Sequence, residues 1–95
     1  MQKNYEIMTI AKYDLGEEAA KELSDQVAQE IESFKGSISE RKFWGRRKFA
    51  YPINHEVEGF YDVLNFQLED AKVAELKGNL NSIESLIRYL VTATE

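Results

Sequence analysis

Residues 36–53 read GSISERKFWGRRKFAYPI, and the conformation of this run decides what the rest of the chain can be. Phe43, Phe49, Tyr51 and Ile53 share odd parity, with Arg41 and Arg47 between them, while Trp44, Arg46 and Lys48 alternate onto the other face. A period of two over aromatic and β-branched residues predicts an extended strand. Gly45 interrupts the alternation and predicts a bulge or a close backbone approach. Pro52 has no N–H for a ladder, which places the strand at a sheet edge or near its own end.

Working forward, NHEVEG at 54–59 is a polar loop, and Phe60 to Leu68 returns as a second strand. Phe60, Leu64, Phe66 and Leu68 mark one of its faces, and Tyr61, Val63, Asn65 and Gln67 the other. Two strands joined by a short loop form an antiparallel hairpin. Asp70 then suits a helix cap, followed by apolar positions at Val73, Leu76 and Leu80. IESLIRYLVT, Ile83 to Thr92, is apolar on both faces. Helical spacing competes there through Ile83 with Ile87 and Leu86 with Leu90. A strand is preferred because it follows the helix closely and completes the pattern.

Working backward, Leu15, Ala19, Leu23, Val27 and Ile31 step by four, a single apolar stripe on a helix of about five turns. Asp14 and Glu17 have capping-box spacing at its start, and Gly36 is a natural stop. YEIMTIA, Tyr5 to Ala11, predicts a first strand, apolar on both sides and therefore central. The order β-α-β-β-α-β makes two split βαβ units. The expected fold is an α+β, ferredoxin-like sandwich over residues 1–95 as one domain. It has a four-stranded antiparallel sheet in the order 4-1-3-2 and two helices on one face. Such a fold does not decide function.

Charge narrows the choice. The chain carries 12 basic and 17 acidic side chains, a net of −5. Arg41, Lys42, Arg46, Arg47 and Lys48 supply five of the cations within eight residues, beside Phe43 and Trp44. Charge along a strand is a common guard against edge-to-edge aggregation, so a solvated edge is the plainer account of this run. Arginine and aromatic rings together also suit phosphate gripping and base stacking. An unpaired edge offers backbone groups to a protein partner as well.

Catalysis finds little support. His55 is the only histidine and Cys is absent, so no thiolate or multi-histidine metal site is expected. Glu56 and Glu58 flank His55 in a polar loop, where carboxylates are usually only solvated. No Gly-rich phosphate loop or nucleophile elbow occurs. The expectation is therefore no enzyme, no cofactor, no metal and no small-molecule substrate. No signal peptide and no apolar run of roughly 18 residues occur, which points to a cytoplasmic protein without membrane contact. The strand FYDVLNFQL departs from the RNA-recognition-motif pattern at Asp62 and Val63.

One resemblance covers most of the chain. Trp44-Gly45-Arg46-Arg47-Lys48-Phe49-Ala50-Tyr51-Pro52-Ile53 resembles the signature of the bacterial small-subunit ribosomal protein S-six family, with Phe49 where Leu is usual. Tyr5-Glu6, Gly59-Phe60-Tyr61 and Leu86-Ile87-Arg88-Tyr89-Leu90-Val91 are similar to its other strand motifs. The resemblance implies a ribosomal structural protein. It also implies binding to small-subunit (16S) rRNA together with the basic ribosomal protein S-eighteen, a partner that would supply much of the positive charge. The carried-over candidates for that surface are Arg41, Lys42, Trp44, Arg46, Arg47 and Lys48, with Arg88 added from the closing strand. The alternative is a free-standing domain of the same fold, acting as a ligand-sensing dimer or a small phosphate enzyme.

Overall fold

The computed structural model describes residues 2–53 and 56–94. Strand β1 (Gln2–Lys12) leads through a 3-10 turn at Tyr13–Leu15 into helix α1 (Glu17–Ser33). Strands β2 (Ser37–Ile53) and β3 (Glu56–Glu69) follow. A second 3-10 turn at Asp70–Lys72, helix α2 (Val73–Leu80) and strand β4 (Leu86–Thr94) close the chain. The strands pair antiparallel in the order β2-β3-β1-β4, which is the expected arrangement. β1 and β3 are central, and β2 forms one edge.

Alternation along the central strands builds the core. Tyr5, Ile7 and Ala11 of β1 face the same side as Phe60, Leu64, Phe66 and Leu68 of β3. Leu23, Val27 and Ile31 of α1 and Leu76 and Leu80 of α2 complete the cluster. Ile7, Leu64, Leu68, Val27, Ile31 and Leu76 are wholly sealed from solvent. Among the described residues, no helix covers the other side of the sheet.

Several sequence expectations shift. Asp14 does not cap α1: it lies in the preceding 3-10 turn, and Gly16 occupies the N-cap without a side-chain hydrogen bond. The helix does end before Gly36. Lys35 takes the left-handed backbone at φ 66°, and the Gly36 N–H donates back to the Ile31 carbonyl at 3.0 Å. Asp70 likewise falls inside a 3-10 turn rather than at the cap of α2. β3 begins at Glu56, so the segment expected as loop is partly ladder; His55 and Asn54 lie outside the described residues. The last segment is a strand, starting at Leu86 rather than Ile83, since Ile83 is partly buried against the core in the preceding turn.

Candidate functional site

The cationic run occupies the β2 edge, and a bulge decides where each side chain goes. Phe43 pairs with Asp62, but the next pair is Gly45 with Tyr61, so Trp44 is an extra residue. Gly45 sits at φ 82°, a left-handed conformation that costs a side-chain-bearing residue. An inserted residue reverses parity. Before it, Arg41 pairs with Leu64 and Phe43 with Asp62, both on the helix side. Beyond it, Arg46 pairs with Phe60 on the helix side, and Arg47 with Gly59 on the open side. The expected shared face for Arg41, Phe43, Arg47 and Phe49 is therefore wrong: the bulge splits it. Lys48 pairs with Glu58, after which the register is irregular as far as Ile53.

The cations have unequal surroundings. Arg41 is tied to α1, with Nη2 donating to Asp25 Oδ1 at 2.6 Å and to Ser24 Oγ at 2.9 Å. That makes Arg41 a clamp between helix and edge strand, poorly placed for an outside ligand. Lys42 pairs with Glu40 on its own strand at 3.5 Å. Arg46 reaches Tyr13: Nη1 donates to the phenol oxygen at 3.4 Å, and the guanidinium carbon stands 5.8 Å from the ring centroid. Its Nε lies 3.8 Å from Glu58 Oε1. The hydrogen bond to Tyr13, with the Glu58 carboxylate nearby, raises the Arg46 pKa above its ordinary value. Arg47 Nη1 donates to the Arg46 carbonyl at 2.9 Å. Trp44 stands half exposed at the bulge.

Arg88 lies across the sheet on β4, opposite Ile10. Ile10 pairs in turn with Tyr61, and Tyr61 with Gly45, so one row crosses the open face from Arg88 to the bulge. Beside that row lies a hollow of about 490 Å³. Met8, Ile10, Phe49, Tyr51, Tyr61 and Leu90 line it, with Lys48 and Arg88 among its walls. Phe49 and Tyr61 meet there, ring centroids 6.1 Å apart and tilted by 57°. Gly59 permits this: a Cβ on it would lie 2.8 Å from the Ala11 carbonyl oxygen and 3.1 Å from the Phe49 ring. Tyr51 is 67% exposed and Leu90 55%, so both stand largely open on this face. Sequence reasoning missed Met8 and Leu90 as surface residues, because a strand apolar on both sides was taken as buried on both. It missed Tyr13 because nothing in its neighbourhood signals a contact with residue 46.

The helix side holds one buried acid. Asp62 is sealed beneath α1, and its Oδ2 makes no hydrogen bond. Burial pushes its carboxyl pKa up, opposed by Ser24, Arg41 and the Val63 backbone. A lone carboxylate held in a protein-packed layer, with Arg41 already clamped nearby, suits tertiary positioning rather than acid–base chemistry. Among the described residues, no group of His, Cys, Asp and Glu is placed to hold a metal ion.

Comparison with known proteins covers nearly the whole chain. The sequence profile described as "Ribosomal protein S6" matches residues 4–93. A small ribosomal subunit protein bS6 from Fusobacterium nucleatum is 39% identical over 89 residues, covering 94% of this chain and 95% of that protein. The bS6 of Dictyoglomus turgidum is 34% identical over 93 residues, covering 98% and 96%. In three dimensions the chain is similar to the crystal structure of 30S ribosomal protein S6 from Thermotoga maritima. The TM-score is 0.93 at 30% identity, over 99% of this chain and 89% of that one. A chemotaxis kinase CheA P2 domain structure, at TM-score 0.62 and 17% identity, shares the fold alone.

Proposed function

The chain belongs to the ribosomal protein S6 family of the small ribosomal subunit, and on that premise we propose that it binds small-subunit (16S) rRNA jointly with the basic protein S-eighteen through the β2 edge and the open face beside it. Family membership makes it a structural ribosomal protein rather than an enzyme, and removes the free-standing sensing domain as a reading.

The observation that carries the proposal is the edge position of β2, with Arg46 and Arg47 directed to opposite sides of it. A double-sided cationic edge meets phosphates from either direction, where a buried strand could not. The apolar hollow next to it, with exposed Tyr51 and Leu90, suits a protein side chain better than solvent. An acidic body of net charge −5 would attract a basic partner while the local cations keep contact with RNA. Arg41 drops out of the proposed contact set because Asp25 and Ser24 occupy it. Lys42, Trp44, Arg46, Arg47, Lys48 and Arg88 stay.

The test is titration of a central-domain rRNA fragment in the presence of the basic partner, at several salt concentrations. Arg46→Ala combined with Arg47→Ala should lower the slope of log affinity against log salt by about one to two. An unchanged slope together with unchanged partner binding would remove the edge strand as the site.

A further inference from the structure

We propose that Tyr13 is a positioning residue for RNA contact, holding the Arg46 guanidinium ready at the sheet edge; the inference rests on the RNA-binding reading above. Tyr13 lies in the turn between β1 and α1, far from the cationic run in sequence. Its ring stacks on Phe60, centroids 5.5 Å apart and 20° between planes. Phe60 is 6% exposed and stacks in turn on Phe43 at 6.2 Å. The Tyr13 ring is thus anchored to the core, while 37% of the residue remains exposed.

Arg46 is held against that anchored ring. It meets the ring at 5.8 Å, the hydroxyl at 3.4 Å and Glu58 at 3.8 Å, yet its side chain is still 57% exposed. A guanidinium is a planar fork with several N–H donors. Nη1 donates to Tyr13 and Nε faces Glu58 only as a longer ion pair, which leaves the Nη2 end of the fork for a phosphate oxygen. A long flexible side chain loses rotamer freedom when it grips a ligand, and one already held loses less. Arg47 offers a contrast: among the described residues, its side chain bonds the carbonyl of its own neighbour and no fixed ring or acid. Arg46 is therefore the better prepared of the two, and Tyr13 is what prepares it.

The experiment is a double-mutant cycle between Tyr13 and Arg46, read as affinity for the central-domain rRNA fragment with the basic partner present. Tyr13→Leu keeps an apolar cover on Phe60, and Tyr13→Phe keeps the ring; thermal unfolding confirms that both variants fold. Tyr13→Leu should weaken RNA binding about fivefold with the salt slope unchanged, and Tyr13→Phe about twofold. In an Arg46→Ala background, Tyr13→Leu should cost nothing more. Equal losses in both backgrounds, or no loss from Tyr13→Leu while Arg46→Ala weakens binding, would overturn the positioning role and leave the RNA reading standing. No loss from Arg46→Ala itself would bring down Arg46 as an RNA contact, and this inference with it.

Discussion

Leu64 and Leu90 belong to strands of one sheet, yet Leu64 is sealed under the helices and Leu90 is 55% exposed on the uncovered side. The same residue type serves opposite ends. On the helix side, Leu64 joins Ile7, Leu68, Val27 and Ile31 in a layer that water does not enter. On the open side, Leu90 lines a hollow shared with Met8, Tyr61 and Arg88. An exposed leucine beside this hollow is open to a covering partner, as the proposed function requires. The burial that holds the fold lies on one face of this sheet, and the proposed recognition lies on the other face and along the β2 edge.

That contrast can be broken by substitution. Leu64→Ala should cost about 3 kcal/mol of unfolding free energy, because no neighbour can collapse fully into the space. Leu90→Ala should change stability by less than about 0.5 kcal/mol and still weaken association with the basic partner. Urea unfolding and pull-down separate the two effects. If Leu90→Ala destabilises as Leu64→Ala does, the open face is structural after all.

Gly45 tests the boundary. Ala at φ 82° should cost about 1 kcal/mol, or drive the bulge to relax. A relaxed bulge would return Arg46 and Arg47 to exchanged faces. Gly45→Ala should therefore reduce RNA affinity more than its loss of stability predicts, measured by parallel titration and thermal unfolding. A loss of affinity no larger than for an exposed Gly78→Ala control would show that the split between faces does not matter.

The last test concerns Asp62, the acid buried under α1. Burial raises the Asp62 carboxyl above its ordinary pKa. The folded state thus holds that proton more tightly than the unfolded chain. The contribution of Asp62 is most favourable below the unfolded pKa and is lost as pH rises through the folded one. Asp62→Asn should remove this dependence, leaving stability at pH 7 equal or higher by up to about 1 kcal/mol. Unfolding measured from pH 4 to pH 7 checks it. A variant clearly less stable at pH 7 would mean that the charge on Asp62 is held by Arg41 and Ser24 at a net gain.

Element type and order were legible in the residues. The step-of-four stripe from Ala19 to Ile31, the apolar runs at Tyr5–Ala11 and Phe60–Leu68, and Pro52 near a strand end lead directly to the βαββαβ order and an edge position for β2, although Leu15, expected to open the stripe, lies exposed in the 3-10 turn before the helix. They do so because periodicity and proline chemistry are local properties of the chain. Element ends were less legible. Asp14 and Asp70 carry cap chemistry, but each lies in a 3-10 turn instead, since capping competes with the entry geometry imposed by the packed sheet.

The site divides along the same line. Which residues carry positive charge, and that they cluster beside aromatics, was written in the chain. Gly45 even announced a bulge. Which face each cation takes depended on a single extra residue against β3, and a register is a property of two strands. That Arg41 is consumed by α1, that Tyr13 reaches Arg46, and that Met8 and Leu90 stand beside Arg88 were settled only when distant segments met. Residue chemistry is fixed one position at a time; orientation and neighbourhood arise from packing between positions far apart in sequence.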